Sequence, residues 1–236
     1  MKNRIALLLA ALLLLLTACG SKQQPTQEVI ERPQQTESTA TAAQTNSGEA
    51  ETTGAAAGGN ILIAYFTVPE TDGVDAVASA SRVATEDGVE GNAEFIAREI
   101  QKNVGGDLFA IQTVQTYPGS HSALLDFAYS EKGSHARPEL ATQIENLEKY
   151  DYIFVGYPNW NADLPMPMYT FFEEYDFSGK TIIPFVTHGG SGFSGTVRTI
   201  RSLQPNATVL DSGLSVSRNS VPNAQADVKA WTDTLF

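Results

Sequence analysis

Two short segments of the chain carry residue types that suit ligand binding. The first, "VGYPNW" (Val155–Trp160), follows an apolar run and places Tyr157 and Trp160 in one loop, where a turn alone would need only Gly and Pro. The second, "THGGSGFSGT" from Thr187 onward, is rich in glycine, which lets the backbone approach a ligand and frees N–H groups to point at it. Rings that stack and amides that donate together suit a flat heteroaromatic ring with polar edges, such as a flavin. A flexible turn is the alternative interpretation of the glycine segment, and it stays open.

The remaining reactive residue types show no catalytic or metal-binding arrangement. His121, His135 and His188 lack the spacing of metal ligands, so the sequence predicts no metal site. His188 lies at the start of the glycine segment, where it either donates a hydrogen bond to a reduced flavin or caps the turn. No Gly-x-Gly-x-x-Gly fingerprint for a dinucleotide follows a predicted strand. No catalytic residue is predicted, because a bound flavin would supply the chemistry.

Five apolar runs indicate the strands that position these segments. Near-continuous apolar strands are typical of a sheet covered on both faces, which is usually parallel. The predicted strands are Asn60–Phe66, Asp107–Val114, Tyr150–Pro158, Lys180–His188 and Ala207–Val216.

Helical patterns lie between and after these strands. The predicted helices are "NAEFIAREIQKNV" (Asn92–Val104), "RPELATQIENLEKY" from Pro138, "LPMPMYTFFEEY", "SGTVRTIRSL" and the closing "VPNAQADVKAWTDTLF" with Trp231 on its apolar stripe. The alternation predicts a doubly wound α/β fold, in which ligands bind at the carboxyl ends of the strands. Three loops should therefore converge, over residues 67–92, 158–165 and 187–195.

The N-terminal region has the composition of an export signal followed by a tether. A short basic start and an Ala/Leu run lead to "LTAC", which resembles the bacterial lipobox and implies lipid attachment to Cys19. An ordinary signal peptide or an uncleaved anchor is the alternative. Residues 20–59 are polar, with almost no large apolar side chain, and predict a flexible tether. The predicted organisation is a signal segment, 1–19, a tether, 20–59, and one folded domain, 60–236, which is extracytoplasmic and lipid-anchored to the cell membrane.

The folded part is strongly acidic. Residues 60–236 carry 22 Asp and Glu against 11 Lys and Arg. This balance argues against nucleic acid as a partner and against docking on an anionic lipid surface, so the predicted membrane contact is the lipid alone.

Several segments together resemble the flavodoxin-like proteins. They are "ILIAYFT", "GNAEFIAREI", "YDYIFVGYPNW" and "LPMPMYTFFEEYDFSGKTIIPFVTHGGSGF", with the closing Trp helix, and they span nearly all of residues 60–236. The resemblance implies a five-stranded parallel sheet between helices and noncovalent FMN. It implies that one side of the isoalloxazine is bordered by Pro158, Asn159, Trp160 and Asn161. It implies that the other side is lined by Thr187, His188, Gly189, Gly190, Ser191 and Gly192.

The phosphate end departs from the family pattern. Flavodoxins place a short hydroxyl-rich loop before a helix N-terminus, whereas here about two dozen residues separate Thr67 from the helix at Asn92. That loop is acidic, with Glu70, Asp72, Asp75, Glu86, Asp87 and Glu90 against Arg82. Relatives with a long loop resume with Gly-Asn-Thr, and this chain has Ala93 in place of the threonine. The implied phosphate residues are Thr67, Gly91, Asn92, Ala93 and Glu94, acting mostly through backbone N–H groups.

Two functional hypotheses follow. The first is a membrane-tethered FMN protein that carries electrons or reduces a small acceptor, with electron carriage favoured over a dedicated enzyme activity. Its redox partner, a protein or a small acceptor, is not identified by the sequence. The second is a binding or scaffold module that kept the fold and lost the flavin.

Overall fold

The computed structural model describes residues 60–69, 71, 82–85 and 88–236, which all belong to one compact unit, Ala50–Phe236. The predicted signal segment with Cys19 and the predicted tether lie outside the described residues, as do residues 72–81 of the acidic loop. No helix among the described residues is long and apolar enough to cross a membrane.

The described chain forms eight strands and five α-helices. In chain order they are β1 (Ile61–Phe66), β2 (Arg82–Thr85), β3 (Gly88–Gly91), α1 (Asn92–Val104), β4 (Asp107–Ile111), α2 (His121–Ser134), β5 (Tyr152–Pro158), α3 (Met166–Glu174), β6 (Thr181–His188), α4 (Thr196–Leu203), β7 (Thr208–Val209), β8 (Leu214–Ser217) and α5 (Gln225–Thr232). Short 3₁₀ turns precede β5 and α5, at Leu147–Lys149 and Val221–Asn223.

The central sheet is parallel throughout, with the order β4-β1-β5-β6-β7, and β8 pairs with the far end of β6. The predicted doubly wound α/β fold is therefore confirmed. The predicted last strand, Ala207–Val216, is divided into β7 and β8. Gly213 lies in the break, where a Cβ would meet the Pro184 carbonyl oxygen at 2.5 Å, so only glycine lets the chain pass this close to β6.

Two apolar clusters cover the two faces of the sheet. One contains the inward residues of α2, α3 and α4, and the other contains those of α1 and α5. Trp231 packs in the second cluster, as its helical stripe predicts, and its Nε1 donates to the Ser212 carbonyl at 2.7 Å. In the sheet itself, Gly156 pairs with Phe185, whose ring occupies the space that a side chain at position 156 would need.

One predicted helix is wrong and one helix was missed. The segment from Pro138 runs beside the edge strand β4, where Leu140 forms an antiparallel bridge with Thr113 and the Ala141 amide donates to the Gln112 carbonyl. Backbone pairing along that edge outweighs the helical spacing of the apolar residues. The missed helix is α2, which begins directly after Ser120. The antiparallel pair β2 and β3 inside the first loop was also not predicted.

Candidate functional site

The loops after β5 and β6 meet at the carboxyl edge of the sheet. Pro158 pairs with Thr187, and the Asn159 amide donates to the Thr187 carbonyl at 2.8 Å. The Asn159 side chain then crosses to the glycine loop, where Nδ2 donates to the Gly192 carbonyl at 2.7 Å and to Ser194 Oγ at 3.1 Å. The predicted convergence of these two loops is confirmed, and Asn159 is the side chain that joins them.

His188 caps the turn that begins the glycine loop. The Gly190 amide donates to His188 Nδ1 at 2.9 Å, so Nδ1 must keep a free lone pair. The neutral ring then carries its proton on Nε2, and partial burial lowers the pKa of His188 below its usual value. Gly189, Gly190 and Ser191 are exposed beyond this cap. His188 therefore caps the turn through Nδ1, and its Nε2–H group can still donate a hydrogen bond.

Tyr157 belongs to the core rather than to a ligand-binding surface. Its side chain is fully buried, and its hydroxyl donates to Thr196 Oγ1 at 2.9 Å. Burial raises the pKa of Tyr157 well above its ordinary range. The expectation that Tyr157 helps to stack a flat ring is therefore wrong, because its ring already packs in the apolar cluster between the sheet and helices α2, α3 and α4.

Trp160 is packed more tightly than a free stacking platform would be. The indole is 5% exposed and meets Phe66 and Tyr117 edge to face, at centroid separations of 5.5 and 5.6 Å. Its other neighbours include Leu124 and Ala128 of α2, which line a small cavity beside it. Stacking of Trp160 on a flavin stays a prediction. In this conformation the indole supports the loop after β5 from the core side, where it packs against Phe66 and Tyr117.

A strained turn follows Trp160. The Trp160 and Asp163 backbones exchange hydrogen bonds of 3.1 and 3.0 Å, and the two residues between them, Asn161 and Ala162, have φ values of 55° and 60°. Left-handed backbone costs a residue with a Cβ roughly 1–2 kcal/mol. Such strain persists only where neighbours hold it, and it concentrates at functional loops.

The predicted phosphate residues Thr67 and Gly91 are in contact, although the loop between them is long. A Cβ on Gly91 would lie 2.0 Å from Thr67 Oγ1, so the threonine side chain rests against the glycine. Gly91 is the N-cap of α1 and offers no side chain to the first-turn amides. The structure thus places a hydroxyl at the N-terminus of α1. Asn92 and Ala93 follow, and both are buried.

Two of the acidic side chains at this end are paired with a cation. Arg98 donates to Glu94 at 2.9 Å and lies 3.7 Å from Glu90. Glu94 also raises the pKa of Tyr65, after the larger effect of burial. This pairing reduces the repulsion that Glu90 and Glu94 would exert on a phosphate at the α1 N-terminus.

Several polar atoms on these loops are buried without a partner. Among the described residues, Thr67 Oγ1, Asn159 Oδ1, Trp160 Nε1 and Thr187 Oγ1 have no hydrogen bond. An unsatisfied buried polar group costs about 1–3 kcal/mol, so such groups are rare and call for an explanation. Thr67 directly follows β1, Asn159 and Trp160 follow β5, and Thr187 is the next-to-last residue of β6, so all four lie at the carboxyl edge. Thr170 Oγ1, which is also buried without a partner, lies within α3.

Sequence reasoning missed a buried carboxyl next to Tyr117, the residue whose ring contacts Trp160. Glu131 of α2 is 6% exposed and accepts hydrogen bonds from Tyr117 Oη at about 3 Å and from Gln115. Burial raises the pKa of Glu131. The contact ties the loop after β4 to α2, and the Thr71 amide donates to Gly119 in the same loop at 2.7 Å. No group of metal-ligating side chains occurs among the described residues.

Comparison with known proteins agrees with this geometry. A family model described as flavodoxin matches residues 82–235. Two crystal structures of proteins described only provisionally as flavoproteins, from Bacteroides eggerthii and Bacteroides uniformis, share 28% and 26% identity and each give a TM-score of 0.56. They cover 74% and 75% of this chain, which in turn covers 96% and 99% of theirs.

A more distant neighbour shares the fold. It is a flavoprotein from Lactobacillus acidophilus in complex with FMN, with 17% identity, a TM-score of 0.50, and coverage of 74% of this chain and 99% of its own. No curated protein matches the chain. The family model covers well over half of the residues and includes every strand of the parallel sheet except β1, together with the loops after β5 and β6, and the chain therefore belongs to the flavodoxin family.

Proposed function

We propose that this domain binds FMN noncovalently at the carboxyl edge of its sheet and acts in electron transfer. The observation that carries the proposal is the cluster of unpartnered buried polar atoms on the three loops, in a chain of the flavodoxin family. The distant neighbour from Lactobacillus acidophilus was crystallised with FMN, which supports the choice of flavin.

The residues present fit such a cofactor. Thr67 and the first-turn amides of α1 suit a phosphate, because amide donors and the positive end of the helix dipole both favour an anion. The loops after β5 and β6 suit the ring, which needs donors and acceptors at its polar edge. When bound, the flavin supplies one-electron and two-electron chemistry, and the chain positions it and excludes water. Since the unpartnered atoms are closed to solvent, binding must be accompanied by small movements of these loops.

Electron carriage is the role that we propose first, and reduction of a small acceptor is the second form of the same chemistry. The redox partner is proposed to be a protein or small acceptor met outside the cytoplasmic membrane.

The test removes single hydroxyl groups without changing side-chain shape. We expect Thr67→Val to weaken FMN binding about tenfold and to leave riboflavin binding unchanged, because only FMN has a phosphate for that hydroxyl. Thr187→Val should weaken both ligands, because Thr187 lies at the ring end. Fluorescence titration of the purified protein with FMN and riboflavin measures both effects.

Thr170→Val is the matched control, since its hydroxyl is also buried without a partner among the described residues but lies within α3. It should bind both flavins like the parent. All three variants should keep or raise the unfolding free energy of the flavin-free protein, because each removes an unsatisfied group. If the purified parent is colourless and binds neither flavin, the domain is instead a flavodoxin-fold module without its cofactor.

We also propose that the protein is held at the outer face of the cytoplasmic membrane by lipid on Cys19. The support is the lipobox-like "LTAC" and the polar segment that follows it. Cys19→Ser should move the protein from the membrane to the soluble fraction without changing its flavin content. A mature chain with an unmodified Cys19, measured by mass spectrometry, would contradict the anchor.

A further inference from the structure

The turn after Trp160 has a sequence that does not favour its own backbone. Two consecutive residues with positive φ, closed by reciprocal hydrogen bonds between Trp160 and Asp163, form a turn of the type I′ kind. Such turns favour Asn-Gly, and this chain has Asn161-Ala162. Ala162 gains nothing locally from the left-handed region, so contacts from outside the turn must hold the conformation.

Lys132 provides such a contact from a different element. It lies in the last turn of α2, and its Nζ donates to the Asn161 carbonyl at 2.8 Å while lying 3.2 Å from Asp163 Oδ2. The Lys132 side chain thus contacts the turn at two points, Asn161 and Asp163.

Asp163 connects the turn to α3. Its Oδ1 accepts from the Leu164 amide at 2.8 Å and from Tyr169 Oη at 2.9 Å. The turn is therefore connected to two helices, through Lys132 on α2 and through Tyr169 on α3.

A simple surface ion pair is the competing interpretation of Lys132. Its side chain is 39% exposed and that of Asp163 is 23% exposed, and exposed ion pairs contribute little to stability. The shorter contact, however, is to a peptide oxygen of the strained turn rather than to the carboxylate. A bond to one specific carbonyl orients that peptide plane, whereas an ion pair alone would not.

We infer that Lys132 is a positioning residue for the cofactor site, acting through the Trp160–Asp163 turn. The inference rests on the proposed function, because it assigns the turn a bound flavin ring as its neighbour. Without Lys132, the turn samples conformations in which Asn161 and Ala162 leave the left-handed region. The apparent flavin affinity is then reduced in proportion to the fraction of molecules whose turn is in the binding-competent conformation.

The first experiment compares three substitutions in the full-length chain. We expect Lys132→Met, which keeps the length of the side chain but removes its donor, to weaken FMN and riboflavin about tenfold each. Lys132→Arg keeps a cationic donor and should bind within about threefold of the parent. Lys149→Met is the charge control, since Lys149 pairs with Asp107 at the start of β4, at the opposite end of the strands, and it should bind both flavins like the parent.

The second experiment tests whether the left-handed backbone of Ala162 is the reason why the turn needs Lys132. Ala162→Gly creates the favoured Asn-Gly pair, so in that background Lys132→Met should cost less than about threefold in affinity. Hydrogen exchange of the Asp163 amide, which donates to the Trp160 carbonyl, gives a measurement that needs no flavin. It should speed up in Lys132→Met, and not in Lys149→Met or in the Lys132→Met/Ala162→Gly double variant.

Two results would overturn the inference. One is a Lys132→Met variant that binds both flavins like the parent; the other is an equal loss of affinity in the parent and Ala162→Gly backgrounds, which would indicate a general structural role. A parent protein that binds neither flavin would refute the proposed function and the cofactor role of Lys132 together. In that case, faster exchange of the Asp163 amide in Lys132→Met would show only that Lys132 stabilises the turn.

Discussion

Trp160→Ala should lower the free energy of unfolding of the flavin-free protein by about 3–5 kcal/mol, the range found when large buried aromatic side chains are truncated. The indole is 5% exposed, and it contacts the rings of Phe66 and Tyr117 edge to face. Truncation removes these contacts and leaves a cavity that joins the small one already present beside α2. Urea denaturation followed by circular dichroism measures the change.

The same substitution should weaken riboflavin as well as FMN, because it loosens the loop after β5, which is the predicted ring end of the site. Trp231→Ala is the control, since Trp231 packs on the opposite face of the sheet. It should also lower stability, while flavin affinity measured well below its unfolding transition should stay at the parent value. Trp160→Ala with parental stability would show that the indole does not occupy this buried position.

The position of Trp160 shows where sequence patterns stop being informative. "VGYPNW" correctly predicts a strand that ends in a loop, and the apolar runs correctly predict a parallel sheet. Residue type alone does not say on which side of a loop an aromatic ring lies. Here Phe66 and Tyr117, which are far from Trp160 in the chain, supply the packing surface, so the side chain turns inward.

Helix α2 was missed for a related reason. Its buried positions are Leu124, Ala128 and Glu131, one of which is a carboxylate. The apolar period of the helix is therefore interrupted where Glu131 accepts from Tyr117. The segment from Pro138 shows the opposite error, because its helical spacing of apolar residues is regular and yet it pairs with the edge of β4. Lys132 could not have been found without α2, and its role depends on a helix that the sequence did not reveal.

Two of the predicted phosphate residues come together despite the long loop between them. Thr67 and Gly91 are separated by an acidic segment, yet they are in contact because β1 ends beside the start of α1. The parallel fold alone sets this proximity, since the first strand and the first long helix must meet at the carboxyl edge. The pairing of Glu90 and Glu94 with Arg98 was not foreseen, and it removes part of the objection that the acidic loop raised.

Acidification should release flavin from this site through His188. The Gly190 amide donates to His188 Nδ1, and a protonated imidazole cannot accept that bond. Burial also disfavours the cation, so the pKa of His188 in the folded protein lies below its usual value of 6.5. The unfolded chain therefore binds this proton more tightly, and the stability that the neutral ring contributes is complete above pH 6.5 and is lost as the pH falls through the folded pKa.

Flavin affinity should follow the same direction, because the glycine loop keeps its shape only while the Gly190 amide has an acceptor. We expect the affinity for riboflavin to be constant above about pH 7 and to fall by up to about tenfold per pH unit once His188 is protonated. Riboflavin is the ligand to measure, because a phosphate monoester such as that of FMN has its own ionisation near pH 6. His188→Asn places an acceptor that does not titrate near the position of Nδ1, so its riboflavin affinity should stay flat from pH 7 to about pH 5. A parent profile that is equally flat, or an Asn variant that still falls, would remove His188 from the control of the glycine loop.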